Sequence, residues 1–227
     1  MAQPLVELDN VHCAYSEGDQ RHAVLRGVSA SLQGGESLAL VGRSGSGKST
    51  LLNVVSGISR PDAGTIRVDG LDVNALGEPA RTLLRRRRIG FVHQFFNLID
   101  TLSVIDNVLL PLELNGRADA GGRARARAML DEVGLGGREH AFPDRLSGGD
   151  QQRVALVRAL VHDPALVLAD EPPGNLDDET GGMVMEMLER MIRRAGHGLL
   201  LVTHSREIAT RADRVLALVD GRLRVPD

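Results

Sequence analysis

The sequence predicts an α/β fold, in which a parallel sheet is covered by helices and a helical subdomain is inserted into the core. Short runs of leucine and β-branched residues, several of them apolar on both faces, recur along the chain. Such runs are typical of strands buried in a parallel sheet. Helical patterns separate most of these runs, and that alternation is characteristic of α/β domains. One middle stretch holds helical patterns without a convincing strand.

The first predicted strand lies near the N-terminus, at Leu5–Leu8, and Met1 leads into it without a recognisable signal peptide. The later strand-like runs are Ser37–Val41, Ile89–Val92, Leu166–Ala169, Leu199–Val202 and Val215–Val219. The helical segments between them are Ser49–Ser56, Gln151–Val161 and Met183–Arg194. Together these segments predict the α/β core, which we assign to residues 1–94 and 163–227.

The inserted helical subdomain is predicted at residues 95–162. Helical patterns cover Val104–Leu114 and Ala124–Val133, and a glycine-rich loop at Gly116–Gly122 divides them. No internal repeat is found, so the chain contains one such unit.

Composition excludes several classes of function. The formal net charge of -3 over 227 residues argues against a dedicated nucleic-acid binder, which usually carries a basic excess. Cys13 is the only cysteine, so no internal disulfide can form and a reducing compartment fits best. The longest apolar runs are far shorter than the roughly 20 residues that span a bilayer. If the protein acts at a membrane, it therefore needs a membrane partner.

A phosphate-binding motif follows the strand at Ser37–Val41. The segment Gly42–Thr50 matches G-x-x-x-x-G-K-[ST] and opens a helical run, which is the context that supports such a match. The glycines allow backbone N–H groups to converge on phosphate oxygens, and the helix N-terminus adds positive potential. The candidate nucleotide-binding residues here are Gly42, Ser44, Gly45, Ser46, Gly47, Lys48, Ser49 and Thr50. A glycine-rich turn without a ligand is the alternative, and the complete motif in this context disfavours it.

Lys48 and Ser49 have predicted roles within this phosphate loop. Lys48 would neutralise the β- and γ-phosphates, and the Ser49 hydroxyl would bind Mg²⁺. Lys48 is the only lysine in the chain, while every other basic side chain except histidine is arginine. A compact ammonium on a slim stem differs from a planar guanidinium, so this position indicates a need for lysine.

Two acids end the apolar strand at Leu166–Ala169. Open α/β sheets place their ligands at the carboxyl ends of strands. Asp170 is therefore a candidate Mg²⁺ ligand, acting through a water, and Glu171 would orient and deprotonate the water that attacks the γ-phosphate. The alternative is an acidic loop end on the surface, which the buried type of the preceding strand disfavours.

A third motif, Leu146–Arg153, precedes a helix with valines along one side. Ser147 and Asp150 form the S-x-x-D pattern of a capping box. A capping box does not need the two glycines Gly148 and Gly149, which remove side chains from the backbone where an anion could dock.

Together with Gln94 and His204, these motifs resemble the nucleotide-binding subunit of ABC transporters over nearly the whole chain. The resemblance implies a P-loop NTPase (RecA-like) core with an N-terminal antiparallel β portion, and it makes residues 95–162 the helical signature subdomain. It also implies that ATP and Mg²⁺ bind, and that ATP-driven closure of a homodimer energises a separate integral-membrane permease. The expected location is peripheral, on the cytoplasmic face of the inner membrane.

The resemblance also implies roles for individual residues. Tyr15 matches the aromatic residue that stacks on adenine. Gln94 matches the Q-loop residue that senses Mg²⁺ and the attacking water, and His204 matches the switch histidine that contacts the γ-phosphate. Ser147, Gly148 and Gly149 would complete the nucleotide site of the other subunit. Asn175–Asp177 matches the D-loop along the dimer interface.

Within the family, the chain most resembles the branch that contains the lipoprotein-releasing ATPase and the macrolide/peptide exporter. The stretches that carry this likeness are 169–177, 94–98 and 107–112. Asp150, Pro173 and Ser205 replace the usual Glu, Thr and Asp of the family. Phe95 and Phe96 follow Gln94, and we expect one of them to be packed and the other to contact the permease.

The sequence also bears on classes of function other than transport. ABC-type ATPases of DNA repair carry coiled-coil or zinc-bearing insertions, but residues 50–146 contain neither heptads nor cysteines. A translation-type ATPase would need two cassettes. The run Arg85–Arg88 is best interpreted as a solvated helix end. A regulatory role, in which the same cassette controls an extracytoplasmic enzyme, stays open at this stage.

Overall fold

The computed structural model describes residues 3–17 and 20–226. The chain divides into two compact units. The first comprises residues 1–85 and 196–227, and the second comprises residues 86–195. The predicted helical subdomain, 95–162, falls within the second unit, and its boundaries stay a prediction.

An antiparallel sheet forms the N-terminal part of the first unit. Its strand order is β2-β1-β4-β5, with β1 at Val6–Glu17, β2 at Gln20–Leu32, β4 at Ala63–Val68 and β5 at Leu71–Asp72. Apolar side chains such as Val11, Val28 and Ile66 are fully buried there. The N-terminal antiparallel portion that the resemblance implied is thus present.

The first unit also contains parallel strands, in the order β10-β9-β3-β8. The strands are β3 (Ser37–Val41), β8 (Gly198–Thr203), β9 (Arg214–Val219) and β10 (Arg222–Arg224), of which β10 pairs antiparallel with β9. In the register of β3, Leu40 lies opposite Val202 and Leu216. Helices α1 (Lys48–Val55) and α7 (Arg206–Ala209) pack on strands of this unit, and α2 spans Glu78–Arg88.

The second unit combines two parallel strands with helices. The strands are β6 (Ile89–Val92) and β7 (Leu166–Asp170), and Phe91 lies opposite Leu168. The helices are α3 (Val104–Leu114), α4 (Ala120–Glu132), α5 (Gly148–Leu160) and α6 (Asp178–Ala195), with a 3-10 turn at Pro143–Arg145. Helix α5 is central, because it packs against β6, α3, α4 and α6.

The predicted bounds of α3 are confirmed, but the predicted starts of α4 and α6 were late, and helix capping explains the difference. The segment Gly116–Gly122 is not a loop throughout, since α4 begins at Ala120, where the Asp119 side chain accepts a hydrogen bond from the Gly122 amide. Helix α6 likewise begins at Asp178, and Asp177 accepts from the Thr180 amide. A capping side chain allows polar residues and glycines to form the first turn before the apolar pattern begins.

The prediction that the run Arg85–Arg88 lies at the end of a helix is confirmed, because α2 ends at Arg88 and β6 begins at Ile89. Within the described part of the chain, none of the helices has the length and apolar character needed to cross a bilayer.

Candidate functional site

The phosphate loop of the first unit is a turn into which only glycine fits at two positions. Gly47 has a φ of 103°, and a Cβ built there would lie 2.7 Å from Val24 Cγ1. A Cβ on Gly42 would lie 2.7 Å from the Leu218 carbonyl oxygen. Contacts below 3.0 Å force neighbouring atoms to shift, so the loop backbone packs directly on its neighbours.

Lys48 bridges this loop from the first turn of α1. Its side chain is buried, at 8% exposure, and Nζ donates hydrogen bonds to the carbonyl oxygens of Gly42 (2.8 Å) and Arg43 (3.0 Å). The Ser46 Oγ is buried without a hydrogen-bond partner in the described structure. A buried ammonium and an unsatisfied hydroxyl within one turn of a helix N-terminus are well suited to receive an anion.

The other predicted residues of the loop differ in their exposure. Thr50 is buried, whereas Ser44, Gly45 and Ser49 are exposed to solvent.

His204 and Tyr15 are also in the first unit. His204 follows β8, is exposed, and together with Gly42 and Arg43 lines a cavity of about 690 Å³. Ser205 caps α7, because its Oγ accepts a hydrogen bond from the Ile208 amide. Serine therefore keeps the capping function that the usual aspartate could provide. Tyr15, on β1, is 45% exposed.

In the second unit, the strand end carries backbone strain. Asp170 closes β7 and is half-buried, as is Glu171. Glu171 has a φ of 48°, in the left-handed region, where a non-glycine residue costs about 1–2 kcal/mol. Strained residues of this kind cluster at functional sites, where the surrounding structure holds them.

Gln94, Glu171 and Asn175 are brought together beside this strand end. The Asn175 side-chain amide donates to the Gln94 carbonyl oxygen at 2.7 Å. A Cβ on Gly174 would lie 3.1 Å from both Gln94 Nε2 and the Glu171 carbonyl oxygen. Gln94, the candidate base Glu171 and the segment that starts at Asn175 thus form one cluster.

The signature begins α5 with the predicted capping box. The Ser147 side chain accepts from the Asp150 amide at 3.1 Å, and Asp150 accepts from the Ser147 amide at 3.3 Å. Burial acts to raise the pKa of Asp150, but the Ser147 hydrogen bonds and the Arg153 charge outweigh it, so this pKa lies below its usual value. The shorter aspartate therefore performs the capping role of the usual glutamate.

The two signature glycines face other predicted site residues. A Cβ on Gly148 would lie 3.4 Å from Leu176 Cδ2 and 3.6 Å from Phe96 Cζ. A Cβ on Gly149 would lie 2.7 Å from Thr180 Cγ2. The signature, the D-loop and the second phenylalanine are thereby close neighbours.

The two phenylalanines differ in the way that the sequence predicts. Phe95 is 68% exposed, whereas Phe96 is half-buried beside Gly148.

Sequence reasoning missed two side chains of α5 that hold the cluster. Arg158 donates from Nη1 to the Asn97 carbonyl (2.6 Å) and from Nη2 to the Phe96 carbonyl (2.8 Å). Burial lowers the pKa of its guanidinium. Gln152 is fully buried and donates to the Pro172 carbonyl at 2.5 Å. A signal for Arg158 existed, since it lies four residues after Val154 on the apolar side of the helix.

His93 was also missed, although it precedes Gln94. Its ring stacks on Phe91, with centroids 5.5 Å apart and planes within 3°. Burial lowers the pKa of His93, the Arg158 charge lowers it further, and the Asp170 charge opposes both. Neutral imidazole is thereby favoured at this position.

Comparison with known proteins gives consistent results. A family model described as ABC transporter matches residues 25–174. An uncharacterised ABC transporter ATP-binding protein of Mycobacterium tuberculosis is 49% identical over 221 residues, covering 97% of this chain and 89% of that protein. The lipoprotein-releasing system ATP-binding protein LolD of Bordetella pertussis is 47% identical over 224 residues, covering 99% and 96%.

One solved structure is similar to this chain in its three-dimensional fold as well. It is the dimeric structure of a post-hydrolysis state of the ATP-binding cassette MJ0796 bound to ADP and Pi. The match has a TM-score of 0.88 and 37% identity, and it covers 96% of each chain.

Proposed function

The chain belongs to the ABC transporter family as an ATP-binding subunit, and we propose that its ATP hydrolysis drives a membrane permease through opening and closing of a homodimer. The predicted fold class, family and branch are confirmed by the relatives and the solved cassette. The regulatory alternative is not favoured, because the relatives are named as transporter subunits or as parts of a lipoprotein-releasing system.

The observation that carries the proposal is the preformed phosphate loop. Lys48 is buried with Nζ held over the loop by two carbonyl oxygens, and Ser46 Oγ is buried without a partner in the described structure. Burying an ammonium and leaving a hydroxyl unsatisfied are both unfavourable unless an anion compensates them. Phosphate oxygens of a nucleotide supply that compensation.

The proposed roles of the other site residues in the first unit follow from the position of Lys48. The loop amides and the side chains of Lys48, Ser49 and Thr50 bind the phosphates, Tyr15 stacks on the adenine, and His204 contacts the γ-phosphate. Exposed positions of Tyr15 and His204 support these roles, since both side chains are accessible to a ligand.

The donor set also fits Mg²⁺. Ser49 supplies a hydroxyl, Gln94 an amide oxygen and Asp170 a carboxylate. Mg²⁺ prefers oxygen ligands and is usually held by one or two carboxylates together with substrate phosphates. When bound, the ion would neutralise charge on the phosphates, and the single carboxylate of Asp170 is sufficient for this mode.

Glu171 performs the proton transfer in this proposal. Its carboxylate accepts a proton from the attacking water, whose oxygen forms the new bond to the γ-phosphorus while the bond to the ADP oxygen breaks. Gln94, held through its carbonyl by Asn175, orients that water. Positioning and charge neutralisation supply most of the catalysis in such phosphoryl transfers.

The signature supplies the second half of each site to the other copy of the chain. The Ser147 hydroxyl and the backbone of Gly148 and Gly149 contact the γ-phosphate bound by Lys48 of the partner. The dimeric state of the solved cassette supports this arrangement.

The shared site can be tested by mixing inactive chains. Each of Lys48→Ala and Ser147→Arg destroys one half of a site, so each homodimer is expected to be inactive. Mixing the two chains should leave one intact site in each heterodimer and restore measurable ATPase activity, at most half of that of the parent. The control is the Lys48→Ala chain alone at the same total protein concentration. Absence of recovery despite heterodimer formation would contradict a shared site.

The permease contact is assigned to exposed Phe95. Ile99 and Phe142 are exposed as well, and both flank the start of α3, where Asn107 binds the Ile99 backbone and Val104 binds Ala141. Phe95 and Ile99 lie in one segment, and exposed apolar groups of this kind indicate an interaction site. In this proposal, the contact with a permease holds the protein peripherally on the cytoplasmic face of the inner membrane.

Phe95→Glu should leave the isolated chain folded and able to hydrolyse ATP, while binding to its permease in a co-purification assay falls at least tenfold. Met183→Glu is the matched control, because Met183 is an exposed apolar residue on α6 of the same unit. Phe96→Glu should instead destabilise the chain, since Phe96 is half-buried. Normal assembly of the Phe95 variant would place the contact elsewhere.

A further inference from the structure

The cavity of about 690 Å³ in the first unit adjoins the phosphate loop but extends away from most of it. Gly42 and Arg43 line it, but none of the residues from Ser44 to Thr50 does. Its apolar surface comes from Val215, Ala217 and Val219, alternate residues on one face of β9, and from Val225, which is 79% exposed. The cavity is therefore a second concave surface beside the nucleotide site.

Among the described residues, the charged side chains that line the cavity are basic. Arg43, Arg206 and Arg224 reach it from three different elements, together with His204, and none of the described acidic residues lines it. None of these three guanidinium groups has a hydrogen bond or ion pair to any other residue that the structure describes. Elsewhere in the unit, by contrast, Arg214 pairs with Glu36 and Arg67 with Glu7.

We propose that this cavity binds an amphipathic organic anion, with its acidic group between the arginines and its apolar body against β9. Cavities of about 300–1,000 Å³ with apolar walls and a few convergent polar groups are typical of small-molecule sites. Three guanidinium groups without an ion-pair partner among residues 3–17 and 20–226 are suited to a carboxylate, sulfonate or phosphate, because charge-assisted hydrogen bonds to such groups are strong. An apolar wall selects against a bare inorganic ion.

The occupied cavity also affects nucleotide binding, a consequence that rests on the proposed function. Arg43 belongs to the phosphate loop, its carbonyl accepts from Lys48, and His204 is assigned to the γ-phosphate. A ligand that orders these residues changes the affinity for ATP, and by reciprocity ATP changes the affinity for the ligand by the same factor.

The test compares two fluorescent probes that share an apolar body. 8-Anilinonaphthalene-1-sulfonate carries a sulfonate, and N-phenyl-1-naphthylamine lacks it. The sulfonate probe should bind one site per chain, at least tenfold more tightly than the neutral probe. Arg206→Gln combined with Arg224→Gln should weaken its binding at least tenfold, whereas Arg222→Gln, on the same strand but outside the cavity, should leave it unchanged.

Binding should persist in the Lys48→Ala chain, so that failure of the proposed nucleotide site does not affect this result. Saturating ATP should shift the probe affinity of the parent chain to a plateau. Complete displacement by ATP would overturn the proposal, because the probe would then occupy the nucleotide site. Equal binding of both probes, or binding unaffected by the double arginine variant, would also overturn it. So would loss of binding when the chain dimerises, which would assign the cavity to a subunit interface.

Discussion

The phosphate loop of the first unit and the strand end of the second hold their functional groups by different means. At the loop, the glycine backbone packs directly on Val24 and Leu218, and the carbonyls bind Lys48. At the strand end, side chains hold the backbone: Asn175 binds the Gln94 carbonyl and Arg158 binds two carbonyls of the Q-loop. The first region leaves no room for a Cβ at Gly42 and Gly47, while the second depends on the polar atoms already present.

The difference indicates that the phosphate loop and the strand end have different roles. In the proposed function, the backbone cradle binds phosphate, and its close packing leaves it little room to move. Side chains that hold a loop by a few hydrogen bonds can release it, because each such bond contributes only about 0.5–1.5 kcal/mol net. We therefore expect damage to the first region to affect binding and damage to the second to affect turnover or loop order.

The largest expected effect separates chemistry from binding. Glu171→Gln removes the proposed base but keeps the shape of the strand end, so kcat for ATP hydrolysis should fall by about 10²–10⁴. ATP affinity should stay within twofold of the parent, and an ATP-loaded dimer should accumulate in size-exclusion chromatography. The control is Glu179→Gln, an exposed glutamate at the start of α6. Turnover close to the parental rate would show that Glu171 is not the base.

The next effect concerns backbone crowding in the phosphate loop. Gly47→Ala brings a Cβ to 2.7 Å from Val24 Cγ1, whereas Gly45→Ala meets no atom within 4 Å. Both positions have positive φ, so their difference isolates the close packing from conformational strain. Gly47→Ala should weaken ATP binding at least tenfold more than Gly45→Ala does, as measured by fluorescent nucleotide titration. Equal losses would mean that strain alone requires these glycines.

The smallest effect tests the side-chain hydrogen bonds that hold the backbone of the second region. Arg158→Gln removes the two hydrogen bonds to Phe96 and Asn97 and should lower the free energy of unfolding by about 1–3 kcal/mol, because bonds to a charged donor are lost. Amide hydrogen exchange at residues 94–98 should increase, while Arg190→Gln, exposed on α6, should change neither quantity. Unchanged exchange at the Q-loop would show that Arg158 does not hold it.

The same contrast explains what the sequence alone could predict. Strand bounds such as Ser37–Val41 and Ile89–Val92 match the structure, because uninterrupted apolar runs define buried strands. The phosphate loop is local, so its motif carries its geometry. The hydrogen bonds of Arg158 and Gln152 join residues that are 20 or more positions apart in the sequence. No local pattern encodes such a pairing, so the partners of these positioning residues appeared only with the fold.

Helix α5 has a mechanical consequence. Its N-terminus is the signature cap at Ser147, and 11 residues later the Arg158 side chain holds the Q-loop backbone. At 1.5 Å per residue these points are roughly 16 Å apart on one rigid rod. In the proposed function, the signature touches the partner's nucleotide and the Q-loop adjoins the permease contact at Phe95. Displacement at either end is therefore transmitted to the other as one movement, which removes an independent degree of freedom from the transport cycle.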